Sequence, residues 1–526
     1  MDDDTPHGSP SNGRVDRRTF IKVAGASGAT AGLAGCLGGD GGDGGDGGDG
    51  GDGGDGGDGG GTTGSGGGGG GGTTGSGGGG GGASGTVQWG FDPTQAQDAS
   101  SEIKQLFHDH GLSDDITLEL VPGNADTGQR QSKYNQVLNA QQSQPDMFMM
   151  DSGWTIPFIA REQLLNLTDN LSQEQLDQVN NDYFQASVNT ARGQNGDLFG
   201  VPLFPDFPSI QYRKDLVTDA GYDPEGENWA TEPMTWKEFS KIVADVKEQT
   251  DVGQGFVFQF DVYEGLSCCD FNEFMSSWGG AYFGGRDNLF GPVGERPVTV
   301  DAKPVVDSVR MVRTFIHGSE DPEALSDYGG GISPTNVLSW QEQDTLTAMT
   351  NGNAIFQRNW PYAIANLAAE DQYGQDLGVM PIPYAVTENN AQAQGMGGTS
   401  AALGGWNMVV NPNTENLEAA LEVIKVAMKD ELQLGLLGIT GWLPPQPKLF
   451  ESEEAKQQKP IGRYMDTLQV AGKNAVPRPV TVAWPQESDI IAQEVNAAAT
   501  QEKAPSDALG SLKSQIESIE NEIAGS

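Results

Sequence analysis

A long low-complexity segment sets the first limit on how this chain folds. Residues 38–85 are almost entirely glycine, aspartate, threonine and serine, with Gly-Gly-Asp repeated from Asp40 to Asp58. Such a segment has no large apolar side chains whose burial would offset the entropy lost on ordering, so we expect a flexible tether over 37–85. Residues 86–526 remain, and they are numerous enough to form a large core divided between two lobes.

The charge of the chain limits its partners. Its 73 acidic and 30 basic residues give a formal net charge of −43. A surface this negative repels nucleic acid and anionic lipid headgroups, so we expect neither as a partner. The usual interpretation is a halophilic protein kept soluble in very high salt, where screening acts over about 3 Å at 1 M. A surface that binds cations is the alternative interpretation.

The first 36 residues have the features of an export signal. Arg17 and Arg18 form a twin-arginine motif. It is followed by a mildly apolar stretch over 23–35 and then by a lipobox-like Leu-Ala-Gly-Cys sequence that ends at Cys36. The apolar stretch is too short to span a bilayer permanently. We therefore predict export of the folded protein and lipid attachment at Cys36, which would anchor the mature protein at the outer face of the cell membrane.

The order of apolar patterns in the remaining chain predicts an α/β fold. Short strands over 86–90, 116–121 and 147–150 alternate with helical patterns, the first of them over 100–110. This alternation is typical of a parallel sheet with helices on both faces. Ligands bind beyond the carboxyl ends of such strands, which is where Asp151 stands in the sequence.

The sequence lacks the spacings of common catalytic and metal sites. It contains no nucleophile elbow, no phosphate-binding loop and no Cys/His metal spacing, so we expect no metal, no cofactor and no enzymatic activity. Cys268 and Cys269 are adjacent. Because adjacent cysteines are poorly placed to bond each other, we expect two buried thiols, with a disulfide between them as the alternative.

Seven short segments, in order along the chain, carry a resemblance to a known family. They are PDMFMMD (145–151), FGVPLF (199–204), YRKDL (212–216), AGY (220–222), YEGL (263–266), RNWPY (358–362) and GGWN (404–407). With these segments the chain resembles family 1 of the extracellular solute-binding proteins. The last three are similar to the trehalose/maltose-binding branch of that family.

The resemblance implies a two-lobed fold of the periplasmic-binding-protein-like type II class, with three crossings between the lobes. We expect these crossings near residues 204–206, 381–383 and 411–413. The first lobe would then comprise 86–205 plus 382–412, and the second 206–381 plus 413–526.

The resemblance also implies which residues hold a ligand between the lobes. A sugar has hydroxyls in fixed directions and flat C–H patches, so its site needs planar polar partners and aromatic faces. The implied binding residues are Asp151, Asp206, Trp360, Tyr362, Trp406, Arg130, Phe204, Gly405 and Arg478. Phe204 stands where these relatives have tyrosine. The loop over 91–100 offers Asp98 or Gln97 as the expected polar contact.

Each of these residues also has a purely structural interpretation. The tryptophans are also compatible with positions in the core, and the aspartates with helix caps or solvated turns. Arg130 is equally compatible with a pairing to a surface acid. Trp154 fits core and cleft equally, whereas Trp236 follows a helix-capping threonine and is predicted to pack in the core.

The function that follows from the resemblance is capture of a sugar for an ABC importer. The expected partners are a disaccharide such as trehalose or maltose, or a related oligosaccharide, and a membrane permease with a separate ATPase. We expect a monomer. A different solute such as glycerol phosphate is the first alternative. A secreted carbohydrate-active enzyme is the second, because paired carboxylates and aromatic rings also occur in glycosidase clefts.

Overall fold

The computed structural model describes residues 83–124, 127–391 and 395–525. The twin-arginine segment, Cys36 and the tether up to residue 82 lie outside the described residues, as does the C-terminal Ser526. Within the described ranges, no helix combines the length and the apolar character needed to cross a membrane.

In the described part of the chain, ten strands form two separate sheets. They are β1 (Gly85–Phe91), β2 (Ile116–Pro122), β3 (Met147–Asp151), β4 (Gly200–Asp206), β5 (Ser209–Arg213), β6 (Gln254–Val257), β7 (Ala354–Asn359), β8 (Leu377–Met380), β9 (Ala401–Val410) and β10 (Ala475–Pro477). The first sheet has the order β10-β9-β3-β1-β2, with β4 also paired to β9. The second sheet has the order β6-β7-β5-β8.

Helices surround both sheets. They are α1 (Pro93–Asp98), α2 (Ser100–Asp109), α3 (Thr127–Asn139), α4 (Thr155–Ala160), α5 (Gln173–Asp182), α6 (Gln185–Asn189), α7 (Lys214–Asp219), α8 (Trp236–Gln249), α9 (Phe271–Ser277), α10 (Lys303–His317), α11 (Glu342–Thr350), α12 (Pro361–Leu367), α13 (Leu417–Ala427), α14 (Asp430–Thr440), α15 (Pro447–Phe450), α16 (Glu453–Gln457), α17 (Met465–Lys473), α18 (Trp484–Ala499) and α19 (Pro505–Ala524).

The apolar run of β3 places it in the middle of the first sheet. Its side chains alternate between two cores, since Met147 and Met149 pack on one face and Phe148 and Met150 on the other. A central strand covered on both faces needs such a continuous apolar sequence. β1 pairs in parallel with both β2 and β3, so the predicted parallel sheet is confirmed in this part of the chain.

The second sheet carries a core rich in aromatic rings. Trp236 begins α8 and is fully buried there, with its indole N–H donating to Ser277 Oγ at 2.9 Å. The Thr235 hydroxyl accepts from the Glu238 N–H at 3.1 Å and so caps the helix. The prediction that Trp236 packs in the core is confirmed.

The packing of the helices corrects the predicted lobe boundaries. Ala420, Val423 and Ile424 of α13 lie in the core of the first sheet, although residues 413–526 were expected in the second lobe. Ile382, by contrast, lies in the core of the second sheet, although 382–412 was expected in the first. Because α13 folds back onto the sheet that β9 has just left, the chain remains in the first lobe after residue 413.

The cores in which successive buried side chains lie indicate where the chain passes between the lobes. β4 is the first such passage, since Phe204 packs in the first core and Phe207 in the second. The second crossing is β9 itself, and the third is the end of α14, where Leu436 packs in the first core and Leu437 in the second. The expected crossings near 381–383 and 411–413 are wrong.

The adjacent cysteines are buried, as predicted, but they are bonded to each other. Cys268 and Cys269 form a disulfide within the π-helical turn Leu266–Asp270. The expectation of two free thiols is therefore wrong, and the alternative, a disulfide between the two cysteines, is the one observed.

The position of α13 predicts the effect of truncating its buried face. Ile424 is fully buried in the first core, so we expect Ile424→Ala to lower the free energy of unfolding by about 2–5 kcal/mol. The neighbouring Lys425 is 55% exposed and pairs with Glu422 on the surface, so Lys425→Ala should cost less than about 1 kcal/mol. Urea unfolding of both variants measures the difference, and equal effects would contradict the placement of α13.

Candidate functional site

Strand pairing brings several of the predicted binding residues to one place. In the register of β3 with β9, Asp151 is the partner of Trp406. In the register of β4 with β9, Phe204 is the partner of Trp406 and Pro205 of Gly405. The carboxyl end of β3 and the crossing strands β4 and β9 thus meet where the two lobes join.

Glycines on β9 make close approach possible at this junction. Gly405 has a φ of 118°, a conformation that favours glycine, and a Cβ on it would overlap the carbonyl oxygen of Phe204. A Cβ on Gly404 would lie 3.0 Å from the Trp360 ring and 3.2 Å from Asp206 Cβ. The ring of Trp360, from the second lobe, therefore lies directly against the crossing strand and beside Asp206.

Asp151 is linked to the second lobe through an arginine. Its Oδ1 accepts from the Gly153 N–H at 2.7 Å and lies 3.4 Å from Arg478 Nη1. The same Nη1 donates to Glu264 Oε1 at 2.7 Å. Burial raises the pKa of Asp151, while the Arg478 charge opposes that shift.

Asp206 is the acceptor with the fewest partners in the site. Within the described residues its carboxylate accepts no hydrogen bond from the protein, and its side chain is only partly buried. Burial raises its pKa to about 7, with the Arg358 charge opposing and the Asp151 charge adding to the shift. Its oxygens are therefore the ones most available to a bound molecule.

A buried arginine supports Trp360 from behind. The Arg358 guanidinium lies 4.5 Å from the centroid of the Trp360 ring, within the range of a cation–π contact. Glu273 accepts from Arg358 Nε at 2.9 Å and from Nη2 at 2.6 Å, and also from the Ala402 N–H at 3.0 Å. The carboxylate of Glu273 thereby ties the arginine to β9.

Trp406 has an equivalent support in the first lobe. The Arg130 guanidinium lies 4.6 Å from its ring centroid, and Arg130 Nε donates to Asn124 O at 2.9 Å. Trp154 meets Trp406 edge-on at 5.5 Å and is buried, so Trp154 covers the lobe and does not line the cleft. Arg130 also lines a cavity of about 470 Å³ between α3 and the first sheet.

Phe204 and Tyr362 take different positions from each other. Phe204 is 5% exposed and stacks on Trp442, with ring centroids 4.5 Å apart and an interplanar angle of 14°. Tyr362, in the first turn of α12, is 37% exposed. Of the two, Tyr362 has the surface that a ligand can reach, whereas Phe204 belongs to the core beneath Trp442.

Sequence reasoning missed some residues of the site. Asp92, and not Asp98 or Gln97, is the acid of the first loop that lies near Arg130, since Asp92 Oδ2 is 3.8 Å from Arg130 Nη2. The sequence did contain a signal, because Asp before Pro is typical of a helix start, and Asp92 Oδ1 does accept from Gln95 N–H at 3.0 Å. Glu264 lies in the YEGL segment that carried the resemblance but was not singled out, and Trp442 had no comparable local signal.

The raised pKa of Asp206 predicts the direction in which the stability of the protein changes with pH. Its carboxyl has a pKa of 3.8 when unperturbed and about 7 in the folded protein, so stability is lost as pH rises from about 4 to about 7. We expect Asp206→Asn to remove that loss. The Tm of the variant minus that of the wild type should therefore rise across this range and become constant above it.

Thermal unfolding at fixed salt between pH 4 and 8 measures this difference. The exposed Asp98 is the matched control, because Asp98→Asn removes a carboxylate at the surface instead of one at the junction of the lobes. A pH-independent difference for Asp206→Asn would show that Asp206 titrates normally.

Comparison with known proteins places the chain in a family. The sequence profile described as "Bacterial extracellular solute-binding protein" matches residues 97–434. A "Probable ABC transporter-binding protein" of Deinococcus radiodurans is 28% identical over 414 residues, which cover 77% of this chain and 86% of that protein.

Solved structures agree in fold. Maltose-bound MalE3 of T. maritima superposes with a TM-score of 0.66 and 25% identity, covering 82% of this chain and 99% of that one. UgpB of Mycobacterium tuberculosis, in complex with glycerophosphocholine, has a TM-score of 0.61 and 17% identity, covering 84% of this chain and 100% of that one. With the profile spanning more than half of its length, and with the two-lobed α/β fold described above, the chain belongs to the bacterial extracellular solute-binding protein family of ABC transporters.

Proposed function

We propose that the chain captures an uncharged sugar, a disaccharide such as trehalose or maltose or a related oligosaccharide, between its two lobes. The observation that carries the proposal is that Asp206, whose carboxylate accepts no hydrogen bond from the described part of the protein, lies beside the ring of Trp360. A carboxylate fixes the direction of sugar hydroxyls, and an aromatic ring packs against sugar C–H groups. The maltose-bound MalE3 structure supports this class of ligand.

The charges of the site support an uncharged ligand over an anionic one. Arg130 lies near Asp92, and Arg478 lies between Asp151 and Glu264. These carboxylates partly neutralise the two arginines and weaken their attraction for an anion. The glycerophosphocholine bound to UgpB makes a phosphate-containing solute the second candidate, and Arg130 Nη1 and Arg478 Nε, which donate to no acceptor among the described residues, are the donors such a solute would use.

Membership of the family supports a role in transport rather than in catalysis. A solute-binding protein of an ABC transporter delivers its ligand to a membrane permease that a separate ATPase drives. A ligand that contacts both lobes only when they are closed shifts the balance between open and closed forms by its differential affinity. Cleavage of maltose by the purified chain would instead indicate the carbohydrate-active enzyme.

The N-terminal signals complete the proposed cellular role. Twin-arginine export, lipid attachment at Cys36 and the Gly/Asp-rich tether would hold a monomeric binding protein close to the outer face of the membrane. The net charge of −43 fits a protein that works in very high salt, where screening reduces the repulsion between its acids.

Ligand-induced stabilisation tests the sugar directly. We expect trehalose or maltose at 100 times its Kd to stabilise the chain by about 2.7 kcal/mol, whereas glycerol phosphate gives no shift. Trp360→Ala should abolish the sugar effect because it removes the aromatic face beside Asp206. Thermal unfolding in molar salt, with longer glucans and glucose also included, measures each case.

The matched control for Trp360 is another half-buried tryptophan of the second lobe. Trp278 stacks on Tyr328 with centroids 5.9 Å apart and is not part of the proposed site, so Trp278→Ala should keep the sugar-induced shift. If no sugar stabilises the wild-type chain and glycerol phosphate does, the phosphate-containing solute replaces the sugar as ligand.

Export and anchoring have their own test. We expect Cys36→Ser to release the mature protein from the membrane fraction into the medium, because the thiol that would receive the lipid is gone. Replacing Arg17 and Arg18 by lysine should retain the protein inside the cell. Cell fractionation with detection of the chain checks both outcomes, and membrane retention of the Cys36→Ser variant would rule out the lipid anchor.

A further inference from the structure

Trp442 lies at the third crossing between the lobes and is not among the residues that the resemblance implies. It follows Gly441, which ends α14 in a left-handed conformation with a φ of 77°. This turn leads the chain out of the first lobe immediately after Leu437. The Trp442 ring is only partly buried.

The ring of Trp442 is fixed from the first lobe. One face stacks on Phe204 at 4.5 Å and 14°, and Phe91 contacts it at 5.4 Å and 50°. Phe204 is the β9 partner of Trp406, and Phe91 directly precedes Asp92, the acid near Arg130. Both aromatic partners of Trp442 thus come from the strand ends that form the first-lobe side of the site.

The second lobe is adjacent to the same turn. A Cβ on Gly441 would lie 3.8 Å from the Cβ of Ala365 in α12. Tyr362, a proposed ligand contact, is in the first turn of that helix. Trp442 is therefore next to the place where the two lobes meet.

Three partly buried tryptophans now share one arrangement. Trp360 is backed by Arg358, Trp406 by Arg130 and Trp442 by Phe204. In each case a group of the protein covers one ring face, and the ring is not fully buried. A single pyranose ring has two faces and can stack on at most two aromatic planes at once.

We propose that Trp442 is a third sugar-stacking residue and that the site therefore takes a ligand of two or more sugar rings. This inference rests on the proposed sugar function and narrows its substrate class. Phe204, which has no hydroxyl and is covered by Trp442, acts as the support of that ring and makes no ligand contact of its own. Trp442 thereby determines specificity for ligand length.

The experiment compares ligands of increasing length on the full chain. Calorimetric titration with glucose, maltose, maltotriose and trehalose is carried out on the wild type and on Trp442→Ala, Trp442→Phe and Trp278→Ala. We expect Trp442→Ala to weaken the best-bound oligosaccharide by about tenfold or more, the size of one lost aromatic contact. Binding of glucose should be unchanged, and Trp442→Phe should retain most of the affinity.

The outcomes separate this inference from the function on which it rests. A wild type that binds no sugar overturns both. A wild type that binds disaccharide, with Trp442→Ala equally tight or equally weakened for glucose and maltose, overturns only the role of Trp442. Trp278→Ala should bind all sugars like the wild type, and its thermal unfolding shows how far loss of a half-buried indole affects the fold alone.

Discussion

The pairing of β9 with strands of both lobes is the constraint on which the site depends. Residues 401–403 pair with β10, whereas the second half of the strand pairs with β3 and β4. Ala401 to Leu403 pack in the second core, and Met408 and Val410 in the first. Because one hydrogen-bonded strand passes through both cores, Asp151, Asp206 and Trp406 are positioned by the same backbone.

Buried ion pairs fix the second lobe around this strand. Glu273 holds Arg358 and the Ala402 N–H together, so the side chain behind Trp360 is bonded to the crossing strand itself. A second buried arginine, Arg296, lies between Glu487 of α18 and Glu520 of α19. Replacing one member of such a buried group would leave an uncompensated charge in the core. The group is therefore stable only in the arrangement that pairs all of its members.

Short sequence patterns predicted those features of the protein that depend on interactions between residues close together in the chain. The place of Asp151 at the end of a strand was predicted from the apolar run before it, and the burial of Trp236 from its position in a capped helix with an apolar face. The lobe boundaries depend on which core a helix packs against, and the apolar face of α13 fits either. Trp442 packs on Phe91 and Phe204, partners distant in sequence, so no short pattern could identify it.

The arginines behind the tryptophans also affect the thermodynamics of capture. A free indole side chain that becomes ordered on binding loses rotamer entropy, which costs about 0.5–1.5 kcal/mol for each immobilised side chain. Arg358 and Arg130 hold the rings of Trp360 and Trp406 in place through contacts internal to the protein. The ordering of these rings is thus completed during folding, so a ligand that stacks on them, as we propose, would not lose affinity to that cost.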